Sequence, residues 1–194
     1  LVHIVKSLPI GYKLYVKDNP QMSTRDWRSV SFYKQIMELP NVKLLHPSIS
    51  PYDILKKCSL VITAGGTTGL EAAFYEKPTI TFVDTLYSTL KSVYLLKNIQ
   101  DLPSVIRSQL TKKIDLDDLN SFVNLIDKNS FEFSYGDLDI DFHHTFFYGG
   151  FLSDVEIEIP VMDAFLQKHQ SEFDQLGLEY AKKIKQHQEY LSKN

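Results

Sequence analysis

The chain has 194 residues, room for one sizeable domain or one and a half small ones. Its 43% hydrophobic and 23% charged residues exclude a disordered chain and predict a folded, soluble one. A formal charge of −3 with no basic block excludes a general attraction to nucleic acid, and one cysteine, Cys58, excludes an internal disulfide and fits a reducing compartment.

The elements follow in chain order. Leu1, Ile4, Val5 and Leu8 share one face of an opening helix. No basic region precedes an apolar core there, so no signal peptide is expected. With no initiator methionine either, the pattern predicts a piece cut from a larger protein. No later apolar run is long enough to span a bilayer. Residues 14–16 read as a strand and 22–39 as a helix, with Trp27, Val30, Tyr33 or Lys34, and Met37 on its stripe. Residues 42–45 form the second strand. Residues 51–57 form a short helix, with Ser50 as N-cap and Pro51 at the first helical position. Residues 60–63 form a third strand, 68–75 a helix, 79–83 a fourth strand, 93–96 a fifth and 103–110 a helix. Strands alternating with helical patterns predict βαβ units and a parallel sheet. The strands are near-continuous apolar runs, as expected where helices cover both faces.

Beyond residue 112 the character changes, so residues 1–112 are expected to form a Rossmann-like domain and 113–194 a mainly helical extension. Residues 115–127 read as a helix with Leu116, Leu119, Phe122, Val123 and Ile126 on the apolar face. Residues 131–135 suit a strand, and 137–152 read as aromatic and irregular. Glu156 and Glu158 alternate like a solvated edge. Residues 160–191 predict one long helix or two, broken or kinked at Gly177, with Phe165, Leu166, Phe173, Leu176, Tyr180 and Ile184 as the buried stripe. Of that stripe, Phe165, Phe173, Leu176 and Tyr180 are expected to pack partly on the sheet domain and partly on a missing half, or to make a dimer contact.

The chemistry concentrates in "VITAGGTTGLEAAFYEKPTITF", residues 61–82. In a parallel sheet ligands bind outside the carboxyl ends of the strands, and the turn 64–69 sits at such an end. Gly65 and Gly66 permit positive φ and close backbone approach. The following helix aims its free N–H groups and positive dipole end into the same crevice, and Thr67 and Thr68 add hydroxyls. Together these features predict an anion site for a nucleotide phosphate. The competing reading is a plain capping turn, with Thr68 and Glu71 as a capping box. Neither the dinucleotide fingerprint nor a P-loop is present.

Three stretches carry a family likeness: "KLYVKDNP", residues 13–20; "NVKLLHPSISPYDILKKCSLVITAGGTTGLEAAFYEKPTITF", residues 41–82; and "LYSTLKSVYLLKNIQDLPSVI", residues 86–106. Over residues 1–110 the chain resembles the C-terminal half of capsule polysaccharide biosynthesis proteins, GT-B glycosyltransferases of surface carbohydrate assembly. The resemblance implies the C-terminal half of a GT-B fold, a nucleotide-sugar donor, a glycan acceptor and an N-terminal acceptor domain outside this chain. It further implies no resident cofactor and a cytoplasmic setting at the inner face of the membrane. Lys17 and Asn19-Pro20 match the family's Lys and His-Pro near the donor phosphate. Asn19 stands where the family has His; it donates hydrogen bonds but cannot carry charge or shuttle a proton, which puts a CMP-sugar donor in doubt. Thr67 and Thr68 match the Ser/Thr pair on the donor phosphates. Glu71 matches the acidic residue on the ribose hydroxyls, and His46-Pro47 the strand end that meets the base.

A bland role stands beside each residue: a strand-end turn for Lys17, Asp18 and Asn19, a surface loop for His46, a cap for Glu71. Asp84 and Tyr87 follow the fourth strand and are secondary candidates, with Pro47, for the same crevice. His143 and His144 beside Asp139 and Asp141 lack a third spaced ligand, so no metal is expected. The alternative functions are a teichoic-acid-type polyol-phosphate transferase, a sugar-nucleotide epimerase, and a non-catalytic interaction domain.

Overall fold

The computed structural model describes residues 1–19, 28–150, 152 and 155–193. The chain divides into two compact units, Leu1–Leu125 and Ile126–Asn194.

The first unit is α/β. Strands β1 (Leu14–Lys17) and β2 (Val42–Leu45) pair in parallel, Leu14 opposite Val42 and Lys17 opposite Leu45. Strands β3 (Val61–Thr63), β4 (Thr79–Thr81) and β5 (Val93–Leu95) form a second parallel sheet with β4 in the middle. The alternation of elements predicts one sheet; the described residues pair as two small ones. Five helices belong with these strands: α1 (Val2–Ser7), α2 (Val30–Met37), α3 (Pro51–Lys57), α4 (Thr68–Phe74) and α5 (Leu102–Leu110). The expected helix 22–39 is shorter at its start. Ser29 caps α2, its hydroxyl accepting the Phe32 amide at 3.2 Å, and Arg28 lies outside the helix. Residues 22–27 of that expectation lie outside the described residues.

Strand β4 shows why the second sheet has two covered faces. All three of its residues are buried, and alternation sends Ile80 one way and Thr79 and Thr81 the other. Ile80 meets Leu96, Leu102, Val105 and Ile106, with Ile4 of α1, Ile62 and Phe82 around them. A fully buried Leu or Ile contributes about 1.5–3 kcal/mol, so this cluster under α5 is the main apolar support of the sheet. On the opposite face the threonine hydroxyls reach the backbone that leads into α4: Thr79 Oγ1 donates to the Gly69 carbonyl at 3.0 Å. Helix α4 closes with Glu76 in the left-handed region (φ 57), where the Lys77 amide reaches back to the Ala72 carbonyl and the Glu76 amide to that of Ala73. Pro78 then starts the run into β4.

Helix α6 (Leu116–Asn129) begins where Asp115 Oδ1 accepts the amides of Asp117 and Asp118. Lys91 ties this start to the loop before β5: its amide donates to Asp118 and its ammonium to Asp115.

The second unit is helical: α7 (Tyr135–Phe147), α8 (Ile159–Lys168) and α9 (Gln170–Lys193). Two expectations are corrected here. Residues 131–134 are not a strand, and the stretch read as irregular is largely helix α7. Phe142 and Phe146 of α7 pack edge-on against Phe165 of α8, at 6.0 and 5.0 Å between centroids. The long C-terminal helix is two helices that meet at His169, and α9 runs through Gly177 without a break. Of the expected stripe, Phe165 is buried and Phe173 and Leu176 are half-buried, whereas Leu166, Tyr180 and Ile184 are exposed. Among the described residues no helix is long and apolar enough to cross a membrane.

Candidate functional site

The turn between β3 and α4 is fixed by hydroxyl groups from beneath it. Thr81 Oγ1 shares its one proton between the Val83 carbonyl at 3.0 Å and the Ala64 carbonyl at 3.3 Å. Tyr87, 6% exposed, donates its hydroxyl to the Gly66 carbonyl at 2.6 Å. Thr79 holds the Gly69 carbonyl. Thr63 Oγ1 accepts the amides of Gly65 and Gly66, at 3.4 and 3.0 Å. Thus three carbonyls and two amides of the turn are engaged by four side chains, none of which lies in the turn itself.

The glycines are explained by space, which corrects the expectation of positive φ at Gly65 and Gly66; neither adopts it. A Cβ on Gly65 would stand 2.5 Å from Val83 Cγ2. On Gly69 it would stand 2.7–2.9 Å from three atoms of the Tyr87 ring. These glycines let β4's continuation and the Tyr87 ring close on the turn. The same contacts answer whether so many small residues exceed what a cap needs: they serve packing.

The peptide planes then decide which amides remain. In a trans peptide the C=O and N–H point in opposite directions. The Gly66 carbonyl accepts Tyr87 from the interior and the Gly69 amide from the helix, so the Thr67 N–H of that plane points away from both. The Thr67 carbonyl accepts the amides of Leu70 and Glu71, so the Thr68 N–H also points out of the helix start. Neither amide has an acceptor among the described residues. Gly66 and Thr67 are exposed. The helix therefore ends in two outward donors at an open corner.

Glu71 stands in the first turn of α4, half-buried, and its Oε1 accepts the Thr67 hydroxyl at 3.0 Å. This corrects the expected capping box. The N-cap is Thr67, not Thr68, and Glu71 holds a hydroxyl in place of a backbone amide. Asp84 is exposed beyond β4, ahead of a turn closed by Thr85 and Ser88. Tyr87, a secondary candidate for the crevice, is a buried strut whose hydroxyl is already given to Gly66.

The other candidates gather at the carboxyl ends of β1 and β2. A cavity of about 410 Å³ lies there, lined by Asp18, Tyr33, Met37, Leu44, Leu45, His46 and Pro47. It is wide open to solvent, and its walls are mostly apolar with few polar groups. Tyr33 donates its hydroxyl to Asp18 Oδ2 at 2.7 Å, and Arg28 Nε lies 3.6 Å from Asp18 Oδ1. The hydrogen bond to Asp18 is the main cause that raises the Tyr33 phenol above its ordinary range. His46 is exposed, and its Nδ1 accepts the Ser48 amide at 3.2 Å. The same ring nitrogen lies 2.7 Å from the Ser48 hydroxyl. Lys17 donates to the Asp18 carbonyl at 3.3 Å, and Asn19 is exposed beside it. Among the described residues no cluster of three His, Cys, Asp or Glu is placed to hold a metal ion.

Sequence reasoning missed Asp18 and Tyr33 as cavity walls, and Thr63, Thr79 and Thr81 as the braces of the turn. The threonines did leave a signal. A strand buried on both faces has no use for hydroxyls unless they meet carbonyls, and β4 reads Thr-Ile-Thr. The chain matches no protein-family model, and it matches no curated protein.

Proposed function

We propose that the chain is the donor-binding half of a nucleotide-sugar-dependent glycosyltransferase of surface polysaccharide assembly. The observation that carries this reading is the open corner at Thr67 and Thr68, where two outward amides stand at the carboxyl edge of a parallel sheet. In the proposed reaction the acceptor hydroxyl forms a bond to the anomeric carbon as the bond to the donor phosphate breaks. The nucleotide leaves with the electron pair, as an anion. The two amides receive that charge without reorganising, because Tyr87 holds the peptide plane of one and the Leu70 and Glu71 amides hold that of the other; the Thr67 hydroxyl joins them by leaving Glu71. Glu71 takes the ribose hydroxyls in exchange for the Thr67 hydroxyl. The 410 Å³ cavity beside His46 and Pro47 takes the base, and Lys17 supplies a point charge. The acceptor glycan and a general base belong to a domain outside this chain, so the chain by itself binds and does not turn over. The whole enzyme then works at the cytoplasmic face of the membrane where the glycan grows.

Titration calorimetry with UDP, CDP and CMP, and with their sugars, tests the reading. The expected result is weak binding of at least one nucleotide, abolished by Thr67→Val with Glu71→Gln while the circular dichroism stays unchanged. A folded wild-type chain that gives no heat with any of them overturns the donor site. That outcome favours the non-catalytic reading, which the replacement of the family's His by Asn19 supports.

A further inference from the structure

Helix α9 spans 24 residues, about 36 Å at 1.5 Å per residue. Phe173, Leu176, Tyr180, Ile184, His187 and Leu191 follow one another at intervals of three or four and so lie on one face. Within the second unit, among the described residues, the start of that face is covered, where Phe173 packs against Phe165 at 6.4 Å between centroids. Tyr180, Ile184 and Leu191 are 67%, 57% and 61% exposed. A helix that repeats its apolar face past the point where its own chain covers it needs a second surface.

The charges on α9 identify that surface. Residues 170–180 hold Glu172, Asp174 and Glu179 and no Lys or Arg, whereas residues 181–193 hold Lys182, Lys183, Lys185 and Lys193 against Glu189. One half is acidic and the other basic. Two parallel copies would set like against like; two antiparallel copies set each acidic half on a basic one. We propose that α9 pairs antiparallel with α9 of a second copy of this chain, about a two-fold axis level with Lys182.

That axis makes the face self-complementary. It sets Tyr180 against Ile184 of the second copy and Phe173 against Leu191. On the flank it brings Glu179 towards Lys183 of the second copy, which lies on the same side of the face. It also accounts for Gly177, which costs about 1 kcal/mol against alanine inside a helix and has no neighbour within 4 Å that a Cβ would meet. In the pair, Gly177 faces His187 of the second copy, and the missing side chain leaves room for the imidazole.

Sedimentation velocity on the full chain across 1–100 µM tests the pairing. The expected result is a monomer–dimer equilibrium that weakens with salt, because the flanking pairs are exposed. Ile184→Glu raises the dissociation constant by about 100-fold or more, since both copies lose the contact. Gly177→Trp does the same while leaving the monomer's melting unchanged, a separation that a role inside one chain does not produce. D174K with E179K, and K183E with K185E, each abolish the homodimer, and mixing the two restores a dimer. A wild-type chain that stays monomeric at 100 µM overturns the proposal. So does a dimer indifferent to Ile184→Glu and Gly177→Trp. Monomer in which residues 180–191 resist hydrogen exchange means that the chain's own first unit covers the face, and monomer that sediments only with anionic vesicles means a membrane occupant. Either outcome overturns it.

Discussion

Gly69→Ala tests whether the turn is packed as described. The added methyl would lie 2.7 Å from Tyr87 Oη, 2.8 Å from Cε2 and 2.9 Å from Cζ. Ordinary carbon contacts begin near 3.5 Å, so the ring must retreat by roughly 0.7 Å. Tyr87 is buried and cannot swing into solvent, and a shift of that size breaks its 2.6 Å bond to the Gly66 carbonyl. Overpacking of this kind costs about 1–3 kcal/mol, and the lost hydrogen bond about 1 kcal/mol more. Alanine returns up to about 1 kcal/mol of helix propensity. The net expectation is a loss of about 1–3 kcal/mol, read as a lower urea midpoint at unchanged slope by far-ultraviolet circular dichroism. Tyr87→Leu in the same chain removes the clash. The double variant should therefore be less destabilised than the two single losses added together, by about 1 kcal/mol. A Gly69→Ala chain as stable as wild type, or more so, would show that propensity alone acts there and that Tyr87 does not rest on the turn.

The other predictions address separate parts of the molecule. Thr81→Val keeps the shape of a fully buried residue but leaves the Ala64 and Val83 carbonyls without their hydroxyl donor; it should cost about 1–3 kcal/mol in a urea melt. Glu76→Gly relieves a left-handed residue at the end of α4 and should stabilise by about 0.5–1 kcal/mol in the same assay, the gain reduced by the looser unfolded chain. His169 lies between Asp141, at 2.6 Å from Nε2, and Glu172, at 3.4 Å from Nδ1, and the bond to Asp141 chiefly raises its pKa. Its contribution is complete below the ordinary histidine value and is lost as pH rises through the raised folded value. Asp141 is lowered first by His169 and then by Lys168, and Glu172 first by Ser171, so their contributions are lost as acid reaches their lowered values. Thermal melts should thus peak between these limits, and His169→Gln should remove the alkaline fall. Burial raises the Cys58 thiol against the opposing pull of Lys77, so a maleimide at pH 8 should label it more slowly than free cysteine does.

The parts of the fold legible in the sequence are those fixed by neighbours along the chain. Helix α3 starts at Pro51 because proline suits the first helical position, and β2 has the bounds its apolar run indicates. Helix α7 was hidden because Phe142, Phe146 and Phe147 crowd it with aromatics, Phe142 packing on both of the others, which blurs a simple stripe. Residues 131–135 alternate like a strand, but alternation makes a strand only where a partner supplies the ladder, and none pairs with them among the described residues. At the candidate site the glycines were visible and their reason was not. Gly65 answers to Val83 and Gly69 to Tyr87, residues 18 positions further along in each case, and no local pattern carries that contact. The capping box failed for a related reason. Thr67 and Thr68 are adjacent and chemically alike, and the choice between them as N-cap rests on how Tyr87 holds the Gly66 peptide plane.

That last dependence also orders the chemistry. An anion bound at the start of a helix as short as α4, seven residues, gains little from the summed dipole, which is strongest in longer helices and acts mainly through the terminal peptide groups. Whatever affinity the corner has must come from the direction of the Thr67 and Thr68 amides. Direction there is a property of side chains outside the turn: Tyr87 sets one plane, and Thr63 and Thr81 hold the residues leading to it. Tyr87→Phe removes only the hydroxyl, and the Gly66 carbonyl keeps the Gly69 amide, so the fold should lose only about 1 kcal/mol. If the proposed donor site exists, nucleotide affinity should fall by more than that, because the Thr67 amide loses its fixed aim. Calorimetry and a urea melt on the one variant separate the two losses. Equal losses would mean that the turn's rigidity serves stability alone and that the corner was never shaped for a ligand.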